Sequence, residues 1–163
     1  MNDAINIINK YLEPGSKAHT ILLKHSMAVR KLTLRIARKN PHLDVNISLL
    51  EQAAMLHDIG MIKTNAPKLG CYGRHRYICH GYLGREILEL EGLNEVALFC
   101  ERHTGVGITL DEIIRHKLPL PHRDMQPVSN EKKSCVMPIS FSPSRAKVLK
   151  NPRKLKKITP GPS

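Results

Sequence analysis

The sequence has 163 residues, 41% hydrophobic and only 4% aromatic, with no tryptophan and a formal net charge of +12. That length suits one domain burying roughly two-thirds of its unfolded surface, over a core of Leu, Ile, Val, Ala and Met. No apolar run approaches the roughly 20 residues that cross a bilayer and the first residues form no secretory signal, so a cytoplasmic protein with no membrane partner is expected.

The elements follow in chain order. Ile5, Ile8 and Leu12 give residues 2–12 a helical period, stopped by Glu13-Pro14-Gly15. Ser16 is placed to cap a long second helix that runs to about Lys39 and ends before Asn40-Pro41. Its inward stripe reads Ile21, His25, Ala28, Leu32 and Ile36. A third helix starts after Asp44 or Asn46 and stops at Gly60, with Ile47, Leu50, Ala54 and His57 on one face. Residues 61–79 hold no period and contain Pro67, Gly70 and Gly73, a long connection of the kind that carries function or moves. His80, Leu83, Ile87 and Leu90 then mark a fourth helix ending at Gly92, and Val96, Phe99, Cys100 and His103 a fifth. Thr109 with Glu112 forms a capping box for a short helix to about Lys117, before a proline-rich stretch.

The charge is uneven. Residues 1–131 carry 17 Lys/Arg against 14 Asp/Glu, whereas residues 132–163 carry 9 Lys/Arg and no acid. The domain is therefore expected over 1–131, with 132–163 an unpacked, proline-containing basic tail. The body shows no basic stripe interleaved with aromatics, so nucleic acid is not an expected partner. Cys71, Cys79, Cys100 and Cys135 contain no Cys-x-x-Cys pair and read as reduced thiols.

The chemistry lies in four histidines, His25, His57, His80 and His103, each on the apolar stripe of a different helix. Singly, such a histidine is more often a hydrogen-bonded core residue than a ligand. Jointly they bring four imidazoles toward one place, as helix bundles do when facing helices build a metal centre. Asp58 follows His57 among apolar neighbours, where its charge is costly without a cation; the competing role is a cap on the turn at Gly60.

These segments, Lys24-His25-Ser26, Ala54-Met55-Leu56-His57-Asp58-Ile59-Gly60, His80-Gly81-Tyr82-Leu83-Gly84 and Glu101-Arg102-His103-Thr104-Gly105, resemble the motif series of the HD superfamily of metal-dependent phosphohydrolases. The resemblance is to small stand-alone proteins of its HDIG branch and covers roughly residues 15–131. It implies an all-α, single-domain helical bundle. It also implies that His25, His57 and Asp58 hold a first divalent metal and that His80 and His103 serve a second, with Asp58 bridging. One or two ions (Fe, Mn, Ni, Co, Zn or Mg) would ionise water, with Asp58 and His57 at the catalytic centre, to cleave a mono- or diester of a nucleotide-like small molecule. Lys63, Arg102 and Arg123 are candidates to clamp the substrate phosphate.

The family pattern also implies a further aspartate, on a helix after Asp124, and the chain has none there; Asp124 is the one candidate to substitute. Without that carboxylate, a metal-binding or regulatory module with impaired turnover is the competing reading. Codons permitted for Lys132 to Ser144, read with one lost nucleotide restored to the adenine run at Lys132-Lys133, regroup to Val-Val-Cys-Tyr-Ala-Asp-Lys-Phe-Phe-Ser-Lys-Ser, which resembles the missing helix. Residues from about 133 onward are then an out-of-frame end rather than an ordinary basic tail. Sequencing the gene through that run is expected to show codons that regroup this way; codons that cannot do so overturn the idea.

Overall fold

The computed structural model describes residues 2–43, 45–104 and 107–127. The boundary expected at 131/132 and the frame-shifted end both lie outside the described residues. Within them the chain is mostly helical, with α1 at Asn2–Tyr11, α2 at Lys17–Lys39, α3 at Ile47–Leu56, α4 at His80–Leu90, α5 at Asn94–Arg102 and α6 at Leu110–Arg115. Ser16, Asn46 and Thr109 cap α2, α3 and α6 with side-chain oxygens that accept from the amides of His19, Leu49 and Glu112. The Glu112 carboxylate completes the expected box by accepting the Thr109 amide.

α2 packs on α3, α4 on α5, and α1 and α5 also lie against α3. One core runs through Ile8, Leu22, Val29, Leu50, Met55, Leu56, Ile87, Leu88, Val96 and Cys100, all buried. Each such Leu or Ile contributes about 1.5–3 kcal/mol of burial. A smaller cluster joins Cys79, Leu83, Ile113, Leu120 and Met125 and seats α6 with the segment after it against α4.

Residues 61–79 are ordered by hydrogen bonds. A 3-10 turn at Ile59–Lys63 leads into a two-residue antiparallel pair, β1 at Asn65–Ala66 and β2 at Cys71–Tyr72, in register Asn65 with Tyr72 and Ala66 with Cys71. A second 3-10 turn at Tyr77–Cys79 runs directly into α4.

Several expected faces are corrected. The buried ridge of α2 is Ala18, Leu22, Ser26, Val29, Thr33 and Ala37, while His25, Leu32 and Ile36 sit at its margin and Ala28 is exposed. Ala18, Ser26, Thr33 and Ala37 make up most of that ridge, so reading only the large apolar residues rotates the stripe off its true face. Ile47 and Leu90, placed in stripes, are exposed at the helix ends. α3 stops at Leu56, not Gly60. Gly60 ends no helix: a Cβ there would overlap the His80 carbonyl oxygen and the Gly84 amide, so it is the point where the turn after α3 touches the backbone of α4. Gly92, between α4 and α5, is the opposite case, with open space around it and a left-handed φ of 74°.

Two predictions follow from this packing. In urea denaturation, Gly60→Ala is expected to lose at least the roughly 1–3 kcal/mol of an overpacked core contact, and more than Gly92→Ala, for which left-handed strain costs about 1–2 kcal/mol; equal losses would remove the close-approach explanation. The Thr33 hydroxyl is fully buried without a hydrogen-bond partner, so Thr33→Val is expected to be neutral or stabilising by about 1 kcal/mol.

Candidate metal centre

The end of α3 does two things at once. His57 closes the helix and Asp58, at φ −103° and ψ 8°, leaves the helical path, so two successive side chains reach the same place. Asp58 makes no side-chain cap on the turn that follows, which removes the competing role for its carboxylate. His25 arrives from the middle of α2, His80 is the first residue of α4, and His103 closes α5.

The five residues form two groups around one carboxylate. Asp58 Oδ2 lies 3.3 Å from His25 Nε2 and 3.4 Å from His57 Nε2, which are 3.2 Å apart. Oδ1 lies 3.3 Å from His80 Nε2 and 3.1 Å from His103 Nε2, themselves 3.1 Å apart. Each oxygen thus serves one histidine pair, and each group of three is close enough to share an ion.

Three of the rings are fixed by one local device. His57, His80 and His103 each place Nδ1 against the carbonyl three residues back, of Ala54, Tyr77 and Cys100, at 3.0, 2.7 and 2.6 Å. A carbonyl only accepts, so each Nδ1 carries a hydrogen, and whenever the ring is neutral its Nε2 turns a lone pair to the site. Nε2 lone pairs 3.1–3.4 Å from one another and from a carboxylate repel unless positive charge lies among them. Neutral imidazoles with a carboxylate also make up the nitrogen and oxygen donor set that first-row divalent ions take, so these residues fit such ions. α3 and α5 both end at the site, through His57 and His103, so their C-terminal ends add partial negative charge there.

Ionisation agrees. Burial pushes His103 down to about 4 and lowers His25, keeping both neutral at pH 7. His57 goes the other way: burial would lower it, but the charge of Asp58 together with hydrogen bonds to Asp58 and the Ala54 carbonyl outweighs burial and raises that group toward its protonated form. For Asp58, burial alone would raise the carboxyl; the charge of His57 and hydrogen bonds from the surrounding histidines hold it well below the usual carboxylate range.

Sequence reasoning did not single out three supports. Tyr77 stacks on the His80 ring at 4.7 Å and 20°. The Cys100 thiol donates to the His57 carbonyl at 2.8 Å, in a space that Gly84 leaves by lacking a Cβ; burial holds that thiol far above its ordinary pKa. Glu101, its side chain 1% exposed, accepts from Arg85 of α4 and from Arg123, pinning the α5 end two residues before His103. Glu101 alone lies inside a quoted motif; Cys100 reads only as part of the α5 stripe, and Tyr77 carries no signal.

The basic candidates fare differently. Arg123 is committed to Glu101, with Nε and NH2 bonds of 3.0 and 2.6 Å to one oxygen. Lys63 faces Glu86 across 3.9 Å at the surface. Arg102, half-buried, is the last residue of α5, directly before His103. Asp124 is outside both ligand groups: it accepts the Leu110 amide at 2.8 Å, bonding the start of α6. No described helix is long and apolar enough to cross a membrane.

Comparison with known proteins gives this geometry a context. An uncharacterised protein of Methanocaldococcus jannaschii is 36% identical over 115 residues, covering 69% of this chain and 60% of its own. Two proteins named tRNA (cytidine(56)-2'-O)-methyltransferase also match. That of Picrophilus torridus is 34% identical, over 73% of this chain and 30% of its own. That of Thermoplasma volcanium is 31% identical, over 63% and 26%. The match therefore spans less than two-thirds of each relative's length. No solved structure matches. The model of the HD domain matches residues 22–135, an interval holding all five residues of the two groups, and the chain belongs to the HD domain family.

Proposed function

We propose that the chain is a metal-dependent phosphohydrolase cleaving a phosphate mono- or diester of a nucleotide-like small molecule. The observation that carries this reading is the Asp58 carboxylate, with one oxygen turned to each of two histidine pairs. In the reading, His25, His57 and Asp58 hold one divalent cation, and Asp58, His80 and His103 a second. Such ions supply Lewis acidity that ionises water near neutral pH and offsets charge at a phosphoryl group.

The chain's own residues do the rest. Nδ1 bonds to backbone carbonyls fix the orientation of three rings, so their Nε2 atoms face the site and need not rotate before acting as donors. The ring of Tyr77 shields one face of His80. Buried Cys71, Cys79 and Cys100 are free thiols, which suits the reducing cytoplasm. The two methyltransferase names, borne by longer chains, fit a nucleotide-like substrate.

One observation favours a second reading, a metal-binding or regulatory module with little turnover. Asp124 is spent on α6, and among the described residues no carboxylate besides Asp58 joins the ligand groups. Metal content and turnover, measured together, separate the two.

Purified protein reconstituted with Mn, Ni, Co or Zn is expected to hold up to two ions per chain and to hydrolyse p-nitrophenyl phosphate or its bis ester. EDTA should abolish this and re-addition of metal restore it. His25→Ala and His103→Ala are each expected to lose one ion. Asp58→Ala should lose both, with turnover falling by at least about 100-fold, since even outer partners of metal ligands are worth 10–100-fold. Stoichiometric metal without turnover on either ester would favour the module, and no metal uptake would sink both readings.

A further inference from the structure

Contrary to the expectation that the body lacks basic residues interleaved with aromatics, residues 72–77 read Tyr-Gly-Arg-His-Arg-Tyr. The chain has only four tyrosines, and three of them, Tyr72, Tyr77 and Tyr82, fall within this segment and the start of α4. The segment is held rigidly against the candidate centre. The Asn65 amide donates to the His75 carbonyl at 2.7 Å, the His75 amide to Lys63 at 3.3 Å and the Gly73 amide to Thr64 at 2.9 Å. Gly73 is pressed onto the Lys63 backbone so closely that a Cβ would overlap it. At the other end Tyr77 accepts from His80 Nδ1 and stacks on the same ring, whose Nε2 lies 3.3 Å from Asp58.

On this scaffold the side chains of Arg74 and Arg76 are exposed, and neither forms an ion pair with a described carboxylate. Other arginines divide: Arg30 is paired with Glu51, Arg85 and Arg123 with Glu101, and Arg115 with Asp111, while Arg35 and Arg38 make no such pair among the described residues but lie ten or more residues beyond His25 along α2. Two guanidinium groups without acid partners, one of them in the residue next to the ring that backs His80, suit a phosphate that must sit beside the histidines. Tyr72 is 78% exposed, with no packing role to explain a large aromatic in that position. An exposed ring two and four residues before exposed guanidinium groups on one hydrogen-bonded segment suits stacking of a base while the cations hold its phosphate.

We propose that Tyr72, Arg74 and Arg76 form a nucleotide-recognising rim of the His/Asp centre, with the arginines on the phosphate and Tyr72 on the base. This rests on the phosphoester reading and narrows its substrate class to nucleoside phosphates. It also moves the phosphate clamp from Lys63 and Arg123, which have acidic neighbours, to the segment before α4.

The test is calorimetric titration of the full chain with adenosine 5′-monophosphate, uridine 5′-monophosphate, ribose 5-phosphate and inorganic phosphate, with Mn and in EDTA. Both nucleotides are expected to bind roughly tenfold more tightly than ribose 5-phosphate, the size of one base–aromatic stack. Tyr72→Ala should erase that difference and leave inorganic phosphate unchanged. Arg74→Gln/Arg76→Gln should weaken all four ligands by roughly 10–100-fold, with circular dichroism and metal content unaltered. Arginine variants that bind like the wild type, or nucleotides that bind no better than ribose 5-phosphate, overturn the proposal. Hydrolysis of p-nitrophenyl phosphate, followed in parallel, keeps the two readings apart: turnover with indifferent arginines defeats only the rim, whereas arginine-dependent nucleotide binding without turnover defeats only the hydrolase.

Discussion

The structure turns on a single carboxylate. Asp58 is largely withdrawn from water, and a carboxylate so placed is tolerated only where positive charge or hydrogen bonds replace its hydration. Four imidazoles surround it, two at each oxygen, and that environment is complete only where a proton or a cation lies between their Nε2 atoms and the carboxylate. Placing His57 and Asp58 together is a backbone problem before it is a chemical one, because successive residues of a helix point about 100° apart. Ending α3 at Leu56 and letting Asp58 fall into the bridge region of backbone space solves it. The neighbouring glycines serve the same end. Gly60 lets the chain turn against α4 close to the His80 carbonyl, and Gly84 admits the Cys100 thiol that braces His57 from below. The His-Asp-Ile-Gly string is thus a description of one tight crossing as much as of two ligands.

The histidines were legible in the sequence, and so were six helices, because a helical period survives without knowledge of partners. The face of α2 was not. Ser26 and Thr33 lie fully buried on it, and their polarity argues locally for the surface. Only their burial in the assembled fold, a tertiary fact, overrides that local signal. His25 consequently stands at the edge of the buried ridge and not in its middle, leaving its side chain 30% exposed where His57 is 2% exposed. Of the two ligand groups, the one containing His25 is the more open to solvent. The segment 61–79 was illegible for a related reason: its order comes from scattered backbone bonds such as Asn65 to His75, which have no period to detect.

Charged residues were the least readable, since a cation is defined by its neighbours. Arg123 and Lys63 met the same sequence criterion as Arg74 and Arg76, a basic group near a motif. Folding sorts them. Glu101, buried between α4 and the segment before Asp124, takes two guanidinium groups for itself, because one carboxylate with so little access to water needs both. Arg123 is therefore part of what holds α5, and through α5 His103, in place. The segment before α4 contains no acid from Pro67 to Cys79, and its cations keep their charge available.

The arrangement also bears on how such a unit sits within longer chains. The five residues span 25 to 103, and the bonds described above that fix a ring or brace a helix end at the centre come from within that interval, Arg123 apart. A site assembled from one contiguous stretch carries its own supports. That fits relatives in which the matched stretch is 60%, 30% or 26% of the whole. α1 precedes the region matched by the family model, yet Ala4 and Ile8 are buried against the same core as α3. What varies around such a centre is then expected to lie outside that interval or in its least periodic part, the stretch before α4, where a change of side chain alters what is recognised without disturbing the backbone bonds that seat His80.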